Sequence, residues 1–188
     1  MRVIAGSARS LPLSVPEGKD IRPTTDRYKE TVFNIIRPYI VGSNVLDLFS
    51  GTGSIGIEAL SRGATGCVFV ENHKTAITCI EKNLIFTKLF EKAEIMKYDY
   101  SKALMDLGNH GIQFELIYLD PPFDQGLEAV TISQIHGYDL LKDDGIMVCE
   151  SSLKTDMSFL KGLKTYEIIK ERVYNTCKFS FISKTKTM

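Results

Sequence analysis

None of the four cysteines in this 188-residue chain belongs to a C-x-x-C pair, and no cysteine–histidine group has zinc-ligand spacing. A structural zinc site and a dithiol redox motif are therefore not expected, and Cys67, Cys149 and Cys177 fall in apolar runs where free thiols are normally buried. The amino terminus, MRVIAGSARS, lacks the apolar stretch of a secretory signal, and no run of about 18 apolar residues occurs. A soluble, reduced, cytoplasmic protein with no membrane partner is the expectation. Net charge is absent as well. With 23 Lys+Arg against 23 Asp+Glu, the whole molecule cannot hold nucleic acid by bulk charge. No internal repeat or low-complexity tract appears, and the three histidines have no partner motif.

What is present is an ordinary globular composition, 44% hydrophobic and 24% charged. One domain spanning 1–188 is expected, with 1–40 as an extension and 41–188 as the core. The zero charge hides segregation. Residues 1–40 carry seven basic and four acidic side chains, residues 41–150 eight and sixteen, and residues 151–188 eight and three. If both basic ends fold toward one edge, they form a positive rim for a polyanion.

In the extension, Val3–Ala5 and Leu11–Val15 are short enough and apolar enough to pair as a hairpin. A helix is predicted from Thr25, its N-cap, to about Arg37, where Pro38 stops it. Beyond it strands and helices alternate. Strands are predicted at 45–49, 67–71, 93–97, 114–120 and 145–151, and helices at 55–63, 73–88, 101–107 and 126–137. Apolar strands interleaved with helices imply an α/β fold, parallel and covered on both faces. The tail, KTYEIIKERVYN and TCKFSFIS, alternates apolar and polar residues and reads as an antiparallel hairpin.

Two motifs carry chemistry. In VLDLFSGTGSIGIEAL, Gly51, Gly53 and Gly56 have G-x-G-x-x-G spacing after a strand and before a helix. That spacing suits a dinucleotide site, an S-adenosylmethionine site or a tight turn. Asp47, at the strand end, favours the second: a pyrophosphate disfavours a neighbouring carboxylate, whereas a sulfonium and an ammonium attract one. Glu71, twenty residues past Gly51, can accept both hydrogens of a ribose diol. Asp99 follows the third strand, where it could accept from an adenine amino group.

The second motif is Asp120-Pro121-Pro122-Phe123, directly after the fourth strand. Two prolines restrict the backbone and remove two N–H donors. The Asp120 carboxylate and an adjacent carbonyl can each accept one hydrogen of a nucleobase amino group, aiming its lone pair at a methyl donor. The carboxylate also stabilises the charge that grows on nitrogen. Phe123 offers a face for stacking the base.

These residues resemble a known family. DLFSGTGSIGIEALSRG, the strand VFVE and DPPF are similar to the motifs of class I S-adenosylmethionine-dependent amino-methyltransferases. MRVIAG, RPTTDRYKETVFNII and the Gly turn together resemble the bacterial 16S rRNA guanine-N2 methyltransferases over nearly the whole chain, RPTTDR being the more specific part. The resemblance implies a Rossmann-like, seven-stranded, mostly parallel sheet with an antiparallel C-terminal hairpin. It implies S-adenosylmethionine held by Asp47, Phe49, Gly51, Gly53, Glu71, Asn72, Asp99 and Tyr100, with S-adenosylhomocysteine as product and no metal. It implies a guanine amino group held by Asp120, Pro121, Pro122 and Phe123, with Arg22, Thr25 and Arg27 at the mouth of the site. The implied partner is 16S rRNA, free or within a small ribosomal subunit, and the implied state is a monomer. The competing readings are the same chemistry on adenine N6 in DNA or RNA, a non-catalytic RNA-binding module, and a nicotinamide-dependent oxidoreductase that Asp47 and DPPF disfavour.

Overall fold

The computed structural model describes residues 1–15 and 26–185. Five parallel strands form the body of one sheet: β1 (Asn44–Leu48), β2 (Gly66–Val70), β3 (Ala93–Met96), β4 (Phe114–Leu119) and β5 (Leu141–Ser151). Two antiparallel strands, β6 (Tyr166–Val173) and β7 (Lys178–Lys184), complete it in the order β3-β2-β1-β4-β5-β7-β6. The expected α/β architecture with its antiparallel tail is what forms. The strand order reverses at β1, so a crevice opens between the carboxyl ends of β1 and β4.

The helices are α1 (Asp26–Ile35), α2 (Ser54–Ser61), α3 (Lys74–Thr87), α4 (Tyr100–Asn109), α5 (Leu127–Gly137) and the single turn α6 (Leu160–Leu163). They divide the core in two. One side gathers Val32 and Phe33 of α1, Ile57 and Leu60 of α2, and Ile80 and Leu84 of α3 against Val45, Tyr118, Val148 and Phe179. The other gathers Leu104 and Leu107 of α4 and Ile132 and Ile135 of α5 against Leu48, Ile117, Met147 and Ile182. Neighbouring strand residues thus alternate between cores, which fixes the face on which every strand-end side chain emerges.

Two differences from the sequence reading have local causes. β5 starts at Leu141, four residues earlier than expected, because the charged Lys142-Asp143-Asp144 stretch is accommodated where the β4–β5 register shifts between Phe114 and Leu116. The amino-terminal hairpin is reduced to one bridge, Arg2↔Pro12, with Val3 N–H donating to Leu11 O at 3.0 Å. Ser10 N–H donates to Val3 O at 2.8 Å and Leu13 N–H to Met1 O at 3.1 Å, while four further N–H groups of the arm turn to α2. Ile4 and Ala5 donate to the Glu58 carboxylate at 2.7 and 3.0 Å, and Ser7 and Ala8 donate to Ser61 O and Oγ at 2.8 and 2.9 Å. Gly6 permits the approach, since a Cβ there would sit 1.8 Å from Ser61 O. Helix α1 stops at Ile35, and Pro38 lies in a 3-10 turn over Arg37–Tyr39. The expected cap Thr25 lies outside the described residues. All four cysteines are buried, and none forms a disulfide among the described residues.

Candidate active site

A cleft of about 630 Å³ lies along the carboxyl ends of the parallel strands, and each strand contributes to its wall. Phe49 follows β1, Val70, Glu71 and Asn72 end β2, and Tyr98, Asp99 and Tyr100 follow β3. Asp120, Pro121, Pro122 and Phe123 follow β4, with Leu127 and Glu150 completing the far side. Of the residues singled out in the sequence, nine therefore share one cavity although they are spread over more than seventy positions of chain.

The two ends of the cleft differ in chemistry. At the β1–β3 end, Phe49 adopts φ +61°, a left-handed conformation rare for an aromatic residue. Its ring lies 5.0 Å from that of Tyr100, tilted by 39°, forming an aromatic wall. Asp99 caps α4 by accepting from Ser101 N–H at 2.9 Å. Glu71 accepts three backbone N–H bonds, each 2.9 Å, from Gly51, Asn72 and His73. A carboxylate offers about four acceptor positions, so Glu71 ties the Gly turn to the end of β2 and keeps little capacity beyond that. At the β4–β5 end, Pro121 is buried, Pro122 exposed, and Phe123 half-buried against the core. Glu150 is only 5% exposed, and Tyr118 Oη donates to its Oε2 at 3.1 Å.

Asp47, Gly51 and Gly53 do not line the cleft; they build the turn beside it. Gly53 caps α2 at φ +74°, and Gly56 lets the helix lie on β2, where a Cβ would meet Phe69 Cε1 at 2.3 Å and Cys67 Sγ at 2.6 Å. Asp47 is 2% exposed and accepts from Gly56 N–H at 2.9 Å, so its immediate role is to hold the first turn of α2. Burial pushes its carboxyl up to about 8; the Gly56 N–H bond opposes the rise and the charge of Glu71 adds to it. An unfolded aspartate titrates at about 3.9. Between these values the native state keeps a proton that the unfolded state has lost. The stability Asp47 contributes is thus complete below pH ~4 and is lost as pH rises through about 8. Asp47→Asn retains an oxygen for Gly56 N–H and removes the titration. In paired denaturation series from about pH 6 to about pH 9, the unsubstituted protein is expected to lose stability relative to the variant; parallel curves would contradict the assignment.

The mouth of the site is only partly described. Arg22 and Thr25 lie outside the described residues, and Arg27 is exposed on α1 without lining the cleft. Its neighbour Tyr28 sits 4.1 Å from Tyr174, ring centroid to ring centroid, in the β6–β7 turn. That turn lies at the cleft edge, because Lys178 pairs with Ser151. The basic tail is nevertheless divided. Lys184 lies at the opposite edge, bonded to Asp139 at 2.7 Å and Asp143 at 2.9 Å, so it adds nothing to a rim around the cleft. Val70, Tyr98, Leu127 and Glu150 escaped the sequence reading. The rule that strand ends line the crevice points to Val70 and Glu150; nothing local marks Tyr98 or Leu127. Among the described residues, no three His, Cys, Asp or Glu side chains gather as a metal-ligand group, and no helix is long and apolar enough to cross a membrane.

The chain is similar to known proteins in sequence and in fold. The family model described as conserved hypothetical protein 95 matches residues 1–183. Bacillus subtilis YlbH is 38% identical over 157 residues, covering 84% of this chain and 85% of that protein. The ribosomal RNA small subunit methyltransferase D of Escherichia coli (strain K12) is 35% identical over 157 residues, covering 84% of this chain and 77% of that protein. A solved structure of Escherichia coli yhhF superposes with a TM-score of 0.83 at 31% identity, covering 98% of this chain and 97% of that one.

Proposed function

The chain belongs to the conserved hypothetical protein 95 family, and on that premise we propose that it transfers a methyl group from S-adenosylmethionine to the N2 amino group of a guanine in small-subunit 16S rRNA. One observation carries the reading: the acceptor-rich, aromatic β1–β3 end and the Asp120–Phe123 segment open into the same cleft. A methyl donor and an amino acceptor can therefore meet inside one cavity. The name carried by the Escherichia coli relative supports ribosomal RNA of the small subunit as the substrate.

Phe49 and Tyr100 would flank the adenine, and Asp99 would accept from its amino group. Glu71 would take a ribose hydroxyl on its remaining acceptor position; taking both requires release of one of its three N–H bonds. Asp47 would act from beneath, holding the turn through Gly56 and placing a carboxyl near the cationic end of the donor. When bound, the donor supplies an electrophilic methyl group on a sulfonium sulfur.

At the other end, Phe123 stacks the target base, and Asp120 with a neighbouring carbonyl accepts the two amino hydrogens. The nitrogen lone pair then points at the methyl carbon. Held by Asp120 and the neighbouring carbonyl, the nitrogen would take the donor's methyl group, the new nitrogen–carbon bond replacing the carbon–sulfur bond whose electron pair stays with sulfur. The Asp120 carboxylate stabilises the positive nitrogen until its extra proton passes to water. Orientation supplies much of the remaining acceleration. Reaching N2 requires the guanine to leave its stack, as for other enzymes that act on a base. The test of substrate class is transfer of label from S-adenosylmethionine: incorporation into small-subunit particles lacking the modification is expected, and incorporation into DNA alone would refute the proposal.

A further inference from the structure

We propose that Glu150 selects the base, its carboxylate accepting the N1–H of the same guanine whose N2 amino group Asp120 holds. The inference rests on the guanine-N2 reading above and assigns its selectivity to a residue.

Glu150 is the penultimate residue of β5 and is nearly buried, yet it lines the cleft. The β4–β5 register pairs Leu119 with Cys149, so one step further brings Asp120 level with Glu150 on strands ~4.8 Å apart. Tyr118 and Val148 both enter the core beneath α1 and α2, and alternation therefore brings Asp120 and Glu150 out on that same face. Tyr118 Oη holds Glu150 Oε2 from below. Burial, with the charges of Glu150 and Asp120, pushes the Tyr118 hydroxyl well above its usual range, so it remains a donor that fixes the carboxylate. Between the two acids, Pro121 and Pro122 bring carbonyls but no N–H.

This end of the cleft consequently presents acceptors at Asp120, at the prolyl segment and at Glu150. Guanine matches it, because N1–H and the two N2 hydrogens form an unbroken row of donors. The amino groups of adenine and cytosine adjoin a ring nitrogen whose lone pair would face a carboxylate. A buried hydrogen-bonding group left opposite the wrong partner is the situation in which binding sites discriminate most strongly.

The test replaces the N1–H and keeps the amino group. Small-subunit rRNA is joined from two pieces so that the position methylated by the unsubstituted protein carries guanine or 2,6-diaminopurine, and is then assembled into particles. Diaminopurine has the 2-amino group but a lone pair at N1. The unsubstituted protein is expected to prefer guanine by about 100-fold or more in kcat/KM. Glu150→Gln, whose amide can donate to that lone pair, is expected to narrow the preference about ten-fold or more, with S-adenosylmethionine affinity by calorimetry unchanged. If Glu150→Gln does not fold, Glu150→Asp serves: the withdrawn carboxylate should lower guanine transfer more than diaminopurine transfer. Equal transfer to both bases by the unsubstituted protein, or a loss in the variant that leaves the ratio unchanged, overturns the role of Glu150. Absence of any guanine methylation by the unsubstituted protein overturns the guanine reading, and the inference with it.

Discussion

Asp120→Ala is expected to lower methyl transfer by about two to three orders of magnitude, the size of effect seen when one preorganised electrostatic partner of a transition state is removed. S-adenosylmethionine binding should stay within about two-fold, because the β1–β3 end of the cleft is untouched and binding of the ground state does not use Asp120. The residue can be removed without emptying a core: it is half-buried at the end of β4, with Leu119 and buried Pro121 anchoring the chain on either side. The measurement pairs single-turnover transfer to small-subunit particles with calorimetric titration of the donor. Asp120→Asn should fall between the two proteins, since its amide keeps one acceptor oxygen and loses the charge. Loss of donor binding in Asp120→Ala would place Asp120 in the wrong half of the cleft.

Glu58→Ala should be the most damaging substitution for stability. Glu58 is fully buried in α2, forms an ion pair with Lys29 Nζ at 3.4 Å, and accepts from Arg62 Nε at 2.7 Å and from the N–H groups of Ile4 and Ala5. Lys29 is itself fully buried and also donates to Arg2 O at 2.6 Å. Burial lowers the Lys29 ammonium from its ordinary value, and Glu58 opposes that fall. Removing the carboxylate strands a buried cation and two backbone donors. Breaking a buried pair from one side costs about 3–5 kcal/mol. At ~2–4 °C per kcal/mol for a domain of this size, the melting temperature should drop on the order of 10 °C. Because Glu58 joins both the arm and α1 to α2, with Ser61 as the arm's second tie, the amide protons of Ile4 and Ala5 should lose exchange protection ahead of the sheet's. Replacing both partners, Lys29→Met with Glu58→Leu, should recover most of the loss. A drop of only about 1 kcal/mol in Glu58→Ala would mean that water already reaches Lys29.

The contrast between these two sites explains what the sequence could tell. The parallel strands are buried on both faces, so 45–49, 67–71 and 114–120 stand out as apolar runs and their ends locate the cleft. Asp120–Phe123 is a contiguous motif and needs no tertiary information. Lys29 and Glu58 are 29 residues apart and look like ordinary surface charges until the fold buries them together. The arm was legible as two short apolar pieces, and Val3 and Leu11 do bond across it, but the N–H groups of Ile4, Ala5, Ser7 and Ala8 go to Glu58 and Ser61, and local pattern cannot show that. Asp47 was read as a partner for a cation; its closest bond is to Gly56 N–H, a use that the Gly turn dictates only once folded. Glu150 ends a strand as visibly as Glu71 does, yet only the β4–β5 register sets it beside Asp120.

Charge shows the same division. The acidic segment 41–150 supplies Glu71, Asp99, Asp120 and Glu150 to one cleft. The basic tail, by contrast, is split between the cleft edge and the opposite edge, where Lys184 is neutralised by Asp139 and Asp143. Engagement of RNA should therefore rest on a short positive margin and on the shape of the folded target more than on overall charge.

Methylation of the exocyclic N2 of a guanine in this cleft is tested most directly by the identity of the modified nucleoside. Small-subunit particles lacking the modification are incubated with the protein and labelled S-adenosylmethionine, and the rRNA is digested to nucleosides and separated. Label is expected in N2-methylguanosine, appearing about two to three orders of magnitude more slowly when Asp120→Ala replaces the protein under the same conditions. Label in N6-methyladenosine would contradict it.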